Sequence, residues 1–313
     1  MTDSLSGREK LGYSLFLVLL GMGWSFTIPM TKIAVSEGYK HFGLIFWQVA
    51  IGTILMFIIN AVRRKSLPMG RAQIRVYVII ALIGTVLPNT ASFQAAVHLP
   101  GGLLSILLSM IPIFAFPIAL ALGNDRFDVR RFAGLLTGLC AVMLIVLPGA
   151  GSLGIPSVVW VFVGLIAGMF YAFEGNFVAK WGTAGLDPIQ VLFGASLVGC
   201  VITLPIALLS GQWINPLPPY GVPDATHVAG SVVHVLVYTG YVWLVGKTGA
   251  VFAVQVSYLV TLCGVFWSKI LLDEAYAPQI WMALALMIGA MYLVQPRPRT
   301  PLAQADTIKD THA

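Results

Sequence analysis

Residues 91–125 read ASFQAAVHLPGGLLSILLSMIPIFAFPIALALGND, two apolar runs that are joined by a short turn of proline and glycine. A stretch of the same pattern, TGYVWLVGKTGAVFAVQVSYLVTLCGVFWSKILLDEA, follows at 239–275. Because about 20 apolar residues cross the hydrocarbon core of a bilayer, each run predicts one membrane-spanning helix. The two stretches therefore predict two equivalent helical hairpins, at an offset of about 149 residues.

The composition of the whole chain predicts an integral membrane protein. Of its 313 residues, 58% are hydrophobic and 10% are charged, and the mean hydropathy is +0.89. A soluble domain carries about 25% charged residues, so this chain lacks the polar side chains that a water-facing surface needs. The apolar runs are continuous and do not alternate with polar residues, which favours helices over a β-barrel.

The charge pattern predicts the number of spans and their orientation. We expect ten membrane spans, at 11–34, 42–62, 76–97, 101–122, 131–148, 157–179, 188–209, 227–246, 249–271 and 277–295. With ten spans, all of the 18 basic residues except Lys32, Lys40 and Lys269 fall on one side. Basic residues mark the cytoplasmic side, which predicts a multi-pass protein of the cytoplasmic (inner) membrane with both termini in the cytoplasm. The net charge of +6 therefore reports orientation and not a nucleic-acid partner.

The remaining spans repeat at a similar offset. Span one (GMGWSFTIPMTKIAVSEG) matches span six (AGMFYAFEGNFVAKWGTAG), and span five matches span ten. Each half then holds five spans, an odd number, so the second half enters the membrane inverted. We predict an all-α integral membrane protein of ten transmembrane helices in two inverted five-helix repeats, 11–148 and 157–295. The polar segment 296–313 is expected to be a disordered cytoplasmic tail.

Particular residues in both halves resemble the drug/metabolite transporter superfamily, specifically the EamA-type transporters with two five-helix repeats. They are Gly23, Trp24, Lys32, SMIPIF at 109–114, GND at 123–125, LDEA at 272–275 and Gly289. The resemblance implies a secondary transporter with a central site formed by spans one, three, four, six, eight and nine. Asn124-Asp125 stands where Gly-Glu is common, and Thr261 where a proline is expected, which makes the two halves less symmetric than usual.

Glu174 is the only acidic residue well inside an apolar run, GLIAGMFYAFEGNFVAK. A carboxylate in a bilayer costs several kcal/mol unless it faces a cavity, finds a partner or is protonated. We therefore expect Glu174 to couple transport to protons or another cation. The structural alternative is an acid near cytoplasmic water, since Lys180 lies only about 9 Å further along the helix.

Polar and aromatic residues near mid-depth form the candidate substrate-binding set: Trp24, Asn89, Ser109, Tyr171, His234, Tyr238, Gln255 and Tyr258. Spacings of three and four residues place several of them on shared helix faces, as the lining of a polar path requires. Hydrogen bonding between helices is the alternative role for each one. The prolines Pro29, Pro112 and Pro117 interrupt spans one and four and are candidate hinges.

The sequence thus predicts a secondary transporter, an exporter or exchanger that moves a small organic metabolite by alternating access. The mixture of rings, amides and one acid fits an amphipathic, aromatic or amino-bearing cargo, and no cofactor or metal is expected. The expected partners are this cargo and membrane lipid, and both a monomer and a homodimer stay open. A membrane-embedded enzyme acting on lipid would need clustered acids or a nucleophile–base pair, and none is present in the sequence. A non-transporting sensor or scaffold is the other alternative.

Overall fold

The computed structural model describes residues 7–146, 155–248, 250–253 and 255–294, and these ranges hold helices and no strand. The helices are α1 Gly7–Ser36, α2 His41–Val62, α3 Arg71–Ala81, α4 Leu87–His98, α5 Gly101–Leu108, α6 Ile111–Leu122, α7 Val129–Val146, α8 Ile155–Trp181, α9 Pro188–Leu209, α10 Val222–Thr248, α11 Ala250–Ala253, α12 Val256–Leu271 and α13 Pro278–Val294. The predicted all-α class is confirmed. The predicted tail at 296–313 lies outside the described residues.

Many of these helices are long and apolar enough to cross a membrane. In the described part of the chain seven stretches meet that requirement: Leu11–Ser36, His41–Val62, Arg71–His98, Gly101–Leu122, Val158–Trp181, Pro188–Leu209 and Val222–Thr248. The helices α12 and α13 are shorter and also apolar, and α7 has 18 residues. The chain is a multi-pass membrane protein, as its composition predicted. The count of ten spans stays a prediction.

Two of the predicted spans, 76–97 and 101–122, are interrupted helices. A π-helical turn, Leu82–Val86, connects α3 to α4, and Ser109 and Met110 separate α5 from α6. Pro112 follows the second break directly, whereas α1 and α6 continue through Pro29 and Pro117. The expectation that these two prolines interrupt their helices is therefore wrong. A membrane helix can contain proline where its neighbours compensate for the lost backbone bond, and Pro29 is buried among them. Their role as hinges stays a prediction.

The helices pack in pairs that join the two parts of the chain. The most extensive pairs are α7 with α13, α1 with α10 and α12, α8 with α4 and α6, α9 with α2 and α3, and α5 with α12. The largest hydrophobic cluster includes α5, α6 and α13, and its members Leu103, Ile106 and Met287 are 1% exposed or less. Small residues allow close contacts between membrane helices, and Gly264 of α12 packs directly on Ser105 of α5.

At one end of the bundle, the loop before α13 is bonded to the start of α5. The Glu274 carboxylate accepts the backbone N–H groups of Gly101 and Gly102 at 2.6 and 3.1 Å. The Tyr276 hydroxyl donates to the same carboxylate at 2.5 Å. Burial and this hydrogen bond raise the pKa of Tyr276. A carboxylate at a helix N-terminus is stabilised by the helix dipole, so Glu274 connects two distant parts of the chain favourably.

At the other end, Asp187 caps α9. Its Oδ1 accepts the N–H groups of Ile189 and Gln190 at 3.0 Å, and the Gln190 side chain accepts the Asp187 N–H at 3.1 Å. The Arg63 guanidinium pairs with the same carboxylate at 2.8 Å. Burial alone would raise the pKa of Asp187, but the bonds from Arg63 and from the backbone of α9 outweigh it, so the pKa is lowered.

Removal of this cap by Asp187→Ala is expected to lower the free energy of unfolding by roughly 1 to 2 kcal/mol. Because the pKa of Asp187 is lowered on folding from its ordinary value of 3.8, its contribution is present above that value and is lost as the pH falls through the lowered one. Thermal unfolding of the detergent-solubilised protein at about pH 7 and at about pH 2 measures this. The difference between wild type and variant should be largest at pH 7, and Asp187→Asn, which keeps a capping oxygen, should lose less. An equal difference at both pH values would contradict the account.

Candidate substrate site

An aromatic cluster lies where α1 packs against α10. The ring centroid of Trp24 is 5.9 Å from that of His234, 6.4 Å from that of Tyr238 and 5.7 Å from that of Tyr241. The interplanar angles of 70° to 83° are those of edge-to-face contacts, which aromatic rings favour. Spacings of four and three residues put the three α10 rings on one face of that helix. Trp24 therefore packs against three rings on one face of α10.

A chain of hydrogen bonds lies where α8 packs against α4. The Tyr171 hydroxyl donates to Oδ1 of Asn89 at 2.8 Å. The Asn89 amide nitrogen in turn donates to Oε1 of Gln48, on α2, at 3.1 Å. Asn89 is 7% exposed, so its amide requires partners inside the protein. These hydrogen bonds fix the relative positions of α2, α4 and α8.

The Glu174 carboxylate lies against the π-helical turn between α3 and α4. A Cβ atom built on Gly84 of this turn would be 2.5 Å from Oε1 and 2.6 Å from Cδ of Glu174. Electrostatic interactions connect the carboxylate with the hydroxyls of Tyr171 and Tyr238. Across the described ranges, no Lys, Arg or His forms a salt bridge with Glu174. An acid without a cationic partner thus lies one helical turn from Tyr171 and within electrostatic range of Tyr238.

A groove of about 500 Å³ opens along the same pair of helices that holds the aromatic cluster. Its lining is Glu9, Gly12, Tyr13, Phe16 and Trp243, from the start of α1 and the end of α10. Trp243 is two residues beyond Tyr241 and therefore points to a different side of α10, where its ring contacts Tyr13 and Phe16. Its surface is mainly apolar, with Glu9 as the one acid of the lining.

The family comparison decides what class of protein carries this arrangement. The model of the EamA-like transporter family matches residues 11–147 and, separately, 158–295. The chain belongs to the EamA-like transporter family. The resemblance seen in the sequence is thereby confirmed, and the protein is a transporter rather than an enzyme.

Two relatives and one solved structure extend the comparison for this EamA-like transporter. It is 21% identical over 254 residues to the uncharacterized transporter YetK of Bacillus subtilis (strain 168), which covers 79% of this chain and 76% of YetK. It is 21% identical over 290 residues to a protein of Streptantibioticus cattleyicolor named a probable terminal-alkyne amino-acid exporter, with 90% and 92% covered. A crystal structure aligns with a TM-score of 0.59 and 19% identity over 92% of this chain and 96% of its own, which shows a shared fold.

Six of the residues that the sequence proposed for the site of this EamA-like transporter meet in these two groups: Trp24, Asn89, Tyr171, Glu174, His234 and Tyr238. Three others lie elsewhere, at or near breaks in helices. The Ser109 hydroxyl donates to the carbonyl of Ile106 at 2.6 Å, and Gln255 is exposed at the start of α12. Tyr258 is half-buried and packs against the main hydrophobic cluster. Their role in substrate binding stays a prediction.

Three residues of the site were missed in the sequence. Gln48 had a usable signal, because it is an amide in the middle of the apolar run of α2. Tyr241 also had one, since it follows Tyr238 by three residues and shares its helix face. Gly84 had none, because a hydropathy pattern does not reveal a π-helical turn.

Proposed function

We propose that this EamA-like transporter exports a small amino-bearing metabolite across the cytoplasmic membrane by alternating access, with Glu174 as the proton-coupling group. The observation that carries the proposal is the Glu174 carboxylate, which has no cationic partner among the described residues. It lies near the rings around Trp24 and the hydrogen bonds that connect Tyr171, Asn89 and Gln48. The name of the Streptantibioticus relative, an amino-acid exporter, supports both an amino-bearing cargo and outward transport.

The chemistry of the site favours such a cargo. A cationic amine is attracted by a carboxylate in a low-dielectric environment and by the faces of aromatic rings such as Trp24. The Asn89 and Gln48 amides supply hydrogen bonds for a polar group on the cargo. Because one carboxylate does not hold a proton and an ammonium group together, entry of a proton releases the amine. This competition is the basis of proton antiport at Glu174.

Alternating access requires two halves that move against each other, and the helix packing supports such a division. Exchange of the first half with the second turns the α1–α10 pair into α8–α4, and the α1–α12 pair into α8–α6, and all four pairs occur. At an offset of 147, Trp24 coincides with Tyr171, and each contacts the other half. These matches favour inverted repeats at 11–148 and 157–295, with ten spans and both termini in the cytoplasm.

In this orientation the two ends of the bundle have different roles. Glu274, Gly101 and Gly102 lie on the outer side, where their hydrogen bonds join the two halves. The groove at the start of α1 and the end of α10 lies on the cytoplasmic side. The hydrogen bonds at Glu274 support a transporter that is closed outside.

Transport by purified protein in liposomes tests the function. Vesicles loaded with labelled neutral amino acids, aliphatic amines and sugar phosphates are diluted into buffer that imposes a pH gradient of either sign. We expect efflux of at least one amino-bearing solute, faster when protons move in the opposite direction, and no efflux of sugar phosphates. If no solute moves while the lipid composition stays constant, a sensor or scaffold is the better description. A change in lipid composition would instead favour an enzyme acting on lipid.

Trp24→Ala is expected to raise the cargo concentration at half-maximal transport about tenfold, because one ring contact and its buried area are worth roughly 1.4 kcal/mol. The maximal rate should change less. Trp213→Ala, in the loop before α10 and away from this site, is the matched control. Equal effects of the two substitutions on the half-maximal concentration would argue against a cargo contact at Trp24.

A further inference from the structure

The Glu174 side chain occupies the space that a side chain at position 84 would need. A Cβ atom on Gly84 would approach Oε1, Cδ and Oε2 of Glu174 to 2.5, 2.6 and 2.9 Å, closer than real Cβ contacts. The carboxylate therefore rests on the backbone of the opposite helix. Only glycine permits this arrangement without displacement of the acid.

The backbone at this position is unusual as well. Over Leu82–Val86 the helix widens, and the Leu87 N–H bonds to the carbonyl of Leu82, five residues back. Such π-helical turns are rare, far below 1% of residues, and are found frequently at functional sites. Asn89, which binds the Tyr171 hydroxyl, follows the turn within one helical repeat. The turn thus influences both the position of Glu174 and the alignment of Asn89 with Tyr171 and Gln48.

We propose that Gly84 and its π-helical turn are a positioning device for Glu174, which holds the carboxylate where cargo and proton exchange on it. This inference rests on the coupling function proposed for Glu174. The titratable groups near the acid are Tyr171 on α8 and Tyr238 on α10, and Lys180 lies about 9 Å further along α8. The π-helical turn, α5 and α6 contain no titratable residue, and His98 of α4 is roughly 20 Å further along its helix. The position of the carboxylate relative to these three groups therefore governs its behaviour.

Gly84→Ala is the direct test, measured as transport against pH and cargo concentration in liposomes. Displacement of the carboxylate should raise the half-maximal cargo concentration at least about tenfold, the equivalent of one hydrogen bond to a charged group, and should move the pH profile. The double variant Gly84→Ala with Glu174→Asp, whose acid is one methylene shorter, should recover much of the loss. Gly175→Ala is the control, because a Cβ there meets nothing within 4 Å.

The outcomes separate this inference from the function on which it rests. If Glu174→Gln abolishes coupling but folded Gly84→Ala keeps the wild-type pH profile, the positioning role is wrong. If Glu174→Gln leaves coupling unchanged, the proposed function itself is wrong. If Gly84→Ala does not fold, the contact is tested by comparing Glu174→Ala with the double variant that carries Glu174→Ala and Gly84→Ala. Because the first truncation vacates the space and alanine favours a helix more than glycine does, the double variant should unfold at the same or a higher temperature. A lower unfolding temperature of the double variant would contradict the contact.

Discussion

Glu174→Gln is expected to abolish the response of transport to a pH gradient while exchange of one cargo molecule for another stays measurable. Glutamine has nearly the shape of the protonated acid but neither gains nor releases a proton in this pH range. It also removes the charge that attracts an amine. Loss of one charged hydrogen bond costs about 2 to 3 kcal/mol, which is roughly a 30- to 150-fold weaker binding of a cationic cargo.

Counterflow and gradient-driven efflux in the same liposomes separate these two effects. Counterflow needs only cargo binding and the conformational change, so it should persist at high cargo concentration. Efflux driven by an imposed pH gradient should fall to the level of vesicles without protein. Glu174→Asp keeps a titratable group and should retain part of the response, and Glu37→Gln, at an exposed acid after α1, should resemble wild type. A normal gradient response in Glu174→Gln would rule out this acid as the coupling group.

The candidate site draws residues from both segments of the chain that match the family. Trp24 and Tyr171 each face a helix of the other half, and Glu174 is connected electrostatically to Tyr171 and Tyr238. A movement of one half against the other would therefore change both groups together. Such a common response is what coupling between cargo release and proton entry requires.

Long apolar helices could be predicted closely from the sequence. Pro188–Leu209 and Gly101–Leu122 begin and end at the predicted residues, because hydrophobic length and flanking proline or glycine determine both ends. Glu174 could be selected for a related reason, since a lone acid in an apolar run is energetically costly wherever it lies. In both cases one local property of the sequence is sufficient.

The contacts around Glu174 depend on packing between distant helices and were not predictable. The widened turn at Leu82–Val86 changes which residues of its span face α8, and no pattern in LIGTV indicates it. Gln255 and Tyr258 follow a break, where the helix face toward the centre depends on the geometry of the break and not on spacing. Sequence spacing was informative within unbroken helices such as α10 and misleading across interruptions.

Glu274→Gln is expected to weaken the closure of the proposed outer side. The carboxylate accepts three hydrogen bonds, from Gly101, Gly102 and Tyr276, and the amide nitrogen of glutamine cannot accept those that one oxygen now receives. Loss of a single bond to a charged group is worth about 2 kcal/mol, roughly a 30-fold shift between closed and open populations. Cargo efflux should slow, because the inward-facing state that loads cargo becomes less populated.

The acid at the corresponding position of the first half, at an offset of 149 residues, is bound differently. Asp125 bonds to Arg126 and Arg131 within its own half, whereas Glu274 bonds to Gly101 and Gly102 of the other half. Reaction of a cysteine at the buried Ser105 with an impermeant maleimide, in a protein without Cys140, Cys200 and Cys263, measures the closure.

The reaction from the outer side should become about 30-fold faster with Glu274→Gln. Asp273→Asn is the matched control, since this neighbouring acid is exposed and asparagine tolerates its positive φ of 51°. It should react as slowly as the parent protein. An equal rate in all three proteins would show that Glu274 stabilises the loop before α13 without controlling access. A faster rate only with Glu274→Gln would show that the loss of these hydrogen bonds is enough to open a path from the outer side toward Glu174.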